Sequence, residues 1–405
     1  MKEENSVAIT ARRVQRVHYA VRDVVLVARE AKQSGKELLS LNIGDPNQFD
    51  FETPPHIVEA ICRALRDNRT CYAPSEGLPE ALEAIRGDAE RKGFQSIEDV
   101  FVGNGASECI ELVLAALINE GEGVLTPAPG YPLYSAVLSK FECREIPYFL
   151  DESDGWQPDL DDIESKIDAQ TRAIVVINPN NPTGSVCEKR TLEGVLELAA
   201  RHNLVVLADE IYDRLILDGR QHVAMASLTD EVPIFSMNGL SKAYLGPGLR
   251  LGWCVVSGKR PEIPIFKEAV HKFLRARLCA NHPVQYAVVP ALEGDQSHIK
   301  EMIAKLTTRR DITANMLNSI DGISCVSPKA AFYAFPRLEI EEPDEDFVTS
   351  LIRETGVVAV HGSGFGQRPG TAHFRVVFLP PEDILRKAFE AIGAFFKQWR
   401  LNSRE

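Results

Sequence analysis

The chain is 405 residues long and 44% hydrophobic, and its 45 basic against 58 acidic side chains give a net charge of −13. That length buries a large core and exceeds one ordinary domain, so two or more are expected. An acidic balance without any polybasic run argues against nucleic acid as the main partner. No stretch reaches the roughly 18 uninterrupted apolar residues of a membrane helix, and the N-terminus MKEENSVAITARR lacks a signal-peptide core, so a soluble, cytoplasmic protein is expected. Eight cysteines without a CxxC pair and nine histidines without HExxH spacing leave neither a disulfide framework nor a metal site to expect.

From residue 99 onward, short β-rich runs alternate with helical patterns. DVFVG (99–103) leads into an apolar helix over 107–118, followed by GVLTP (123–127) and CREIPYFL (143–150). AIVVIN (173–178), a helix near 191–202, LVVLAD (204–209), VPIFS (232–236) and GWCVV (252–256) continue the pattern. The helix near 191 rests on Leu192, Val195, Leu196 and Ala199 at helical spacing, with Thr191 as the expected N-cap and Asn203 as the stop. Strands joined through helices predict an α/β sheet with mainly parallel strands. Beyond about residue 260 the pattern becomes more helical and ends in FYAFP, VVAVHG, HFRVVF and an amphipathic helix, which predicts a smaller α+β domain. The charged run 339–346 reads as a solvated loop.

The chemistry centres on SMNGLSKAYLGPGLRLGW, residues 236–253, which places Lys242 eight residues before Arg250 in a Gly-, Ser- and Pro-rich loop between apolar runs. A lysine desolvated there suits Schiff-base chemistry with an aldehyde cofactor, and an arginine nearby suits a phosphate; a surface turn with two solvated cations is the plain alternative. Other polar residues also fall at strand ends, where open α/β sheets bind ligands. Asp209 ends LVVLAD, NPNNPTG (178–184) follows AIVVI, and GNGAS (103–107) follows DVFV. Singly, Asp209 could be an N-cap, NPNNPTG a Pro-rich turn and GNGAS a tight turn; their shared location predicts one site. GNGAS is not a dinucleotide fingerprint, because Glu108 stands where the third glycine of GxGxxG belongs. Its helix start at Gly105, Ala106 and Ser107 still makes a good monophosphate site.

These motifs, NPNNPTG, ADEIYD, SKAYLGPGLRLGW and FRVVF in this order, resemble the class I, fold type I aminotransferases that use pyridoxal phosphate (PLP). The resemblance runs from LNIGDP at 41 to Arg375. With HYAVRD, PAPGYPLY, NGLSK and RLCAN, it is nearest to the alanine (glutamate–pyruvate) branch. It implies a large domain with a mainly parallel mixed sheet flanked by helices (46–290), a smaller α+β domain (291–405), and an N-terminal segment (1–45) packing with the small domain and active site.

In that likeness Lys242 is the Schiff-base lysine and proton carrier, Asp209 pairs with the pyridinium nitrogen, and Tyr212 and Asn181 bond the ring's phenolic oxygen. Tyr131 stacks on the ring, while Gly105, Ala106, Ser107, Ser241 and Arg250 hold the phosphate. Arg375, helped by Asn181 and Gly44, receives the substrate α-carboxylate. The likeness also implies a homodimer with active sites at the interface, Tyr72 reaching the neighbour's phosphate, and Tyr19 and Arg22 folding over the substrate. The implied substrates are an amino acid and a 2-oxo acid, with alanine and 2-oxoglutarate first and aspartate or aromatic donors as alternatives. A PLP-binding regulatory module would need a winged-helix segment that the 40 residues before LNIGDP do not suggest, and a nicotinamide oxidoreductase suffers from the failed glycine fingerprint. LGPG (245–248) and His282 depart from the family pattern at positions expected to line or shape the substrate pocket.

Overall fold

The computed structural model describes residues 11–17 and 20–402. Its centre is an eight-stranded sheet built from β1 (Ile97–Gly103), β2 (Gly123–Ala128), β3 (Arg144–Asp151), β4 (Gln157–Pro158), β5 (Thr171–Ile177), β6 (Val205–Asp209), β7 (Ile234–Gly239) and β8 (Gly252–Ser257), in spatial order 1-8-7-6-5-2-3-4. The strands from β7 through β6, β5 and β2 to β3 run parallel. β8 is antiparallel to both β7 and β1, so β1 points the same way as the parallel set. The carboxyl ends of β1, β2, β5, β6 and β7 therefore meet along one edge, and β8 starts from it.

The apolar runs form strands because both faces of the sheet are covered. Ala173, Val175 and Ile177 of β5, with Val205 and Leu207 of β6, face one buried cluster; Ile174, Val176, Val206 and Ala208 face the other. Each Val, Leu or Ile among them contributes roughly 1.5–3 kcal/mol by leaving water. The first cluster is closed by the helices Ala106–Leu117, Leu133–Lys140 and Ile263–Ala276. The second is closed by Pro79–Arg91 and Lys189–Arg201 and continues into the C-terminal part of the chain.

That C-terminal part carries a five-stranded sheet centred on Ala372–Val377, with the helices Ser297–Asn318, Asp344–Thr355 and Glu382–Asn402 around it. The N-terminal segment joins it. Helix Ala20–Gln33 packs on Asp344–Thr355, Leu39–Ser40 pairs in parallel with Val357–Val358, and the Val377 N–H donates to the Leu41 carbonyl at 2.8 Å. The observed α/β architecture is the one the sequence predicts.

Three local expectations change. Helix Lys189–Arg201 begins before Thr191, which is buried in its first turn; Glu188 is the N-cap and gives no side-chain bond. The Glu188 N–H is instead held by Gln157 Oε1 at 2.8 Å, a tertiary contact that sets the helix start. Asn203 does stop that helix, in the left-handed region at φ 56°. The run 339–346 is not wholly solvated, because Asp344 is only 4% exposed. Its carboxylate is satisfied by the Ser363 N–H and hydroxyl and by the Gln367 amide, which removes the cost of burying it. VVAVHG divides into Val357–Val358 and Val360–His361, which pair with different partners.

Candidate active site

Where those strand ends meet, a cavity of about 180 Å³ is lined by Gly44, Ala106, Ser107, Tyr131, Asn181, Asp209, Tyr212, Ser241, Lys242, Arg250 and Arg375, together with Tyr333, Pro247 and apolar side chains. Eleven separately expected residues thus share one space. No helix follows Asp209, whose position at the end of β6 is followed by a turn, so the N-cap reading of that residue falls.

Lys242 stands three residues beyond the end of β7, half-buried, and its Nζ donates to the Gly44 carbonyl at 2.9 Å. Burial pulls its pKa down to about 8, with Arg375 and Arg250 acting in the same direction and Asp45 and Asp209 against it. A near-neutral amine is a nucleophile and a proton acceptor, which a solvated lysine is not. The folded pKa lies below the ordinary 10.5, so folding pays for the charged amine in full below about pH 8 and progressively less between there and 10.5. Lys242→Met is therefore expected to melt at a higher temperature than the parent at pH 7, in cofactor-free protein, with the advantage shrinking as pH rises through that window. A pH-independent difference would refute it.

Asp209 is 4% exposed. It accepts the Tyr134 hydroxyl at 3.2 Å and the Ile211 N–H at 3.4 Å, and no cation pairs with it among the described residues. Burial pushes its pKa up to about 6. A carboxylate so placed gains most from a cationic ligand group. Tyr212 and Tyr333 share a hydrogen bond between hydroxyls at 2.8 Å, and burial holds the Tyr212 phenol well above its ordinary pKa.

Across the cavity, Arg375 on strand Ala372–Val377 is 1% exposed. Its Nη1 donates to Asn181 Oδ1 at 3.1 Å and its Nη2 to the Asn42 carbonyl. The guanidinium also lies 4.8 Å from the ring centroids of both Tyr333 and Phe365. Gly44 is required where it stands, since a Cβ there would overlap the Tyr333 hydroxyl.

The loop from Lys242 to Arg250 is shaped by two left-handed residues, Leu245 and Arg250 itself, both at φ 52°. Leu245 is buried, and its carbonyl accepts the Thr53 hydroxyl. Pro247–Leu249 then forms a 3-10 turn with Pro247 on the cavity wall. LGPG therefore turns the chain so that Arg250 Nη2 reaches the Asn104 carbonyl at 3.4 Å. Gly105, at φ 85°, lies behind the lining, and a Cβ there would strike the Arg250 guanidinium.

Two expected positions stand apart from the cavity, and two fall where side chains are not described. Tyr72 is 78% exposed and outside the lining of its own chain's cavity. His282 is also outside it; its Nδ1 bonds the Cys71 carbonyl at 2.7 Å, beside Tyr72. Tyr19 lies outside the described residues, and Arg22 is on helix Ala20–Gln33 with its side chain outside what is described. Sequence reasoning missed Tyr134, Tyr333 and Asn42. Tyr134 stands three residues after Tyr131 in PGYPLY, and Tyr333 in FYAFP is an apolar-strand residue carrying a hydroxyl; those are the signals available.

The sequence matches the family described as "Aminotransferase class I and II" over residues 36–392. It is 38% identical to the glutamate–pyruvate aminotransferase AlaA of Haemophilus influenzae, over 96% of this chain and 98% of that protein. It is 40% identical to the alanine aminotransferase of Mycobacterium bovis, over 96% and 92% respectively. The solved alanine aminotransferase from Pyrococcus furiosus superposes with a TM-score of 0.93 at 42% identity, covering 96% of this chain and 100% of that one.

Proposed function

From the premise that the chain belongs to the class I and II aminotransferases, we propose that it moves the amino group of L-alanine to 2-oxoglutarate, giving pyruvate and glutamate in two half-reactions. The observation that carries the reaction is the convergence of Asp209 and Arg375 from two strands, and of Lys242 from the loop after a third, on one cavity. The choice of alanine is supported by the names of the full-length relatives.

The family and its fold are PLP-dependent, and the residues present fit that group. Asp209 is a buried carboxylate short of a cation, Gly105 keeps open a cradle that a Cβ would close, and Lys242 is a lysine brought toward neutrality. When bound, PLP supplies an aldehyde that takes the amino group and a ring that spreads the charge left on the substrate carbon. Asp209 holds the ring nitrogen, Asn181 and Tyr212 the ring oxygen, and Tyr131 the ring face. Gly105, Ala106, Ser107, Ser241 and Arg250 take the phosphate, with Tyr72 of a second copy reaching the same phosphate in a homodimer. The Lys242 amine takes and returns the proton of the substrate Cα. Arg375, with Asn181 and Gly44, orients the α-carboxylate so that this proton faces Nζ.

The same reading divides the chain into an N-terminal segment (1–45), a PLP-binding domain (46–290) and a small domain (291–405), working in the cytoplasm. Tyr19 and Arg22 cover the substrate, and Arg22 receives the distal carboxylate of glutamate.

The PLP-loaded protein, given single amino acids without acceptor, is expected to lose the visible band of its bound cofactor with alanine and with glutamate, and slowly with aspartate and tyrosine. Alanine leaving the band intact would overturn the donor assignment, and faster conversion by aspartate or an aromatic donor would replace it. Run on Arg22→Ala, the same panel should show a larger loss with glutamate than with alanine; equal losses would remove Arg22 from substrate recognition.

A further inference from the structure

Glu108 occupies the position where a dinucleotide fingerprint would carry glycine, and the structure gives it a set of partners that the reaction as described does not use. Helix Ala106–Leu117 has Gly105 as its N-cap, with no side-chain cap bond. A Ser or Asp at that position would engage first-turn N–H groups with its own side chain; with Gly105 there, the Glu108 N–H turns to the Gly105 carbonyl at 3.1 Å and no side-chain cap competes for those of Ala106 and Ser107. The turn is instead secured from behind. Glu108 Oε2 accepts the Asn104 backbone N–H at 2.7 Å, and its two oxygens accept the Asn104 amide at 3.1 and 3.2 Å. This is the reach-back of a capping box displaced by one residue.

Glu108 in turn accepts Arg277 Nη1 at 2.9 Å, in a pair whose side chains are 25% and 13% exposed. Arg277 Nη2 donates to the Ser75 carbonyl at 3.0 Å and the Val102 carbonyl at 2.8 Å, and Asn104 Oδ1 accepts the Asn281 N–H at 3.0 Å. The carbonyl of Asn104 is also the one that Arg250 Nη2 contacts. One carboxylate thus holds the turn that leads into Ala106 and Ser107 on the cavity wall and whose carbonyl Arg250, also on that wall, contacts.

A carboxylate in the first helical turn is favoured by the helix dipole, yet it competes with any anion at the same end. Arg277 offsets that competition. We infer that Glu108, neutralised by Arg277, is a positioning residue that presets the Gly105–Ser107 turn and Arg250 for a phosphate dianion. This rests on the reading of that turn as the phosphate site.

The test compares binding of PLP and of pyridoxal, which lacks the phosphate, to cofactor-free protein by fluorescence quenching. Glu108→Gln should weaken PLP about 10- to 100-fold, the size of one lost charged hydrogen bond, and leave pyridoxal within about twofold. Arg277→Met, which strands the carboxylate beside the dianion, should weaken PLP more than Glu108→Gln does, and the double variant should recover part of that loss. Equal weakening of both ligands by Glu108→Gln, or no weakening of either while Arg250→Met weakens PLP alone, would overturn the proposal. If Arg250→Met also fails to separate PLP from pyridoxal, the phosphate-site reading itself is wrong and the proposal falls with it.

Discussion

Lys242→Ala is expected to lower turnover by about 10²- to 10⁴-fold or more, the range for removing a positioned acid–base group, since in the proposed reaction the same amine also serves as nucleophile. The basis is local. Nζ sits at the cavity wall with a pKa near 8, donating to one carbonyl, in a loop bounded by β7 and the 3-10 turn at Pro247–Leu249. The variant should still bind PLP, because the proposed ring and phosphate contacts come from Asp209, Tyr131, Ser107 and Arg250, but the cofactor should leave on denaturation and dialysis without any reductive trapping to the chain. Parent protein treated with borohydride should keep it covalently. A variant that turns over at the parent rate, or that still traps the cofactor, would remove Lys242 from the chemistry.

Arg375→Leu is the second large effect. A planar guanidinium held by Asn181, Asn42 and two aromatic rings is positioned for a carboxylate in a way that a flexible ammonium is not. Losing one partner of a buried charged pair costs about 2–5 kcal/mol, or roughly 30- to 4000-fold in kcat/KM at about 1.4 kcal/mol per tenfold. Because every amino and 2-oxo acid substrate brings the same carboxylate, the loss should appear with donor and acceptor alike while PLP affinity stays within a few-fold. Arg375→Lys should recover little. A loss confined to one substrate, or a matching loss of PLP affinity, would assign Arg375 elsewhere.

Much of this was legible because the relevant signals are contiguous. AIVVI, LVVLA and WCVV are short apolar, β-branched runs bounded by polar or turn residues, which marks buried strands, and Asp209, Asn181, Lys242 and Arg250 lie within a few residues of the ends of such runs. What escaped is brought in from a distance. Tyr134 reaches Asp209 across 75 residues of chain, and Tyr333 reaches Tyr212 across 121; no local pattern marks a hydroxyl as a partner until the sheet order is known. Thr191 failed as a cap for the same reason, since Gln157, distant in sequence, sets that helix start. Asp344 looked solvated because its donors, Ser363 and Gln367, come from another loop. Local pattern therefore predicts elements and strand-end chemistry, whereas supporting contacts depend on tertiary approach.

The carbonyl to which Lys242 donates belongs to Gly44, in the segment that pairs with Val357–Val358 through Leu39–Ser40, bonds the C-terminal sheet through Leu41, and also offers the Asn42 carbonyl to Arg375. Lysine and arginine are consequently tethered to one short tract of backbone. A ligand that engages the amine must first displace that tether, so loading is an exchange of partners rather than the filling of an idle group. Whatever shifts residues 39–44 therefore acts on the amine and on the arginine at once. Engagement of the amine and placement of the arginine are then coupled through one short segment.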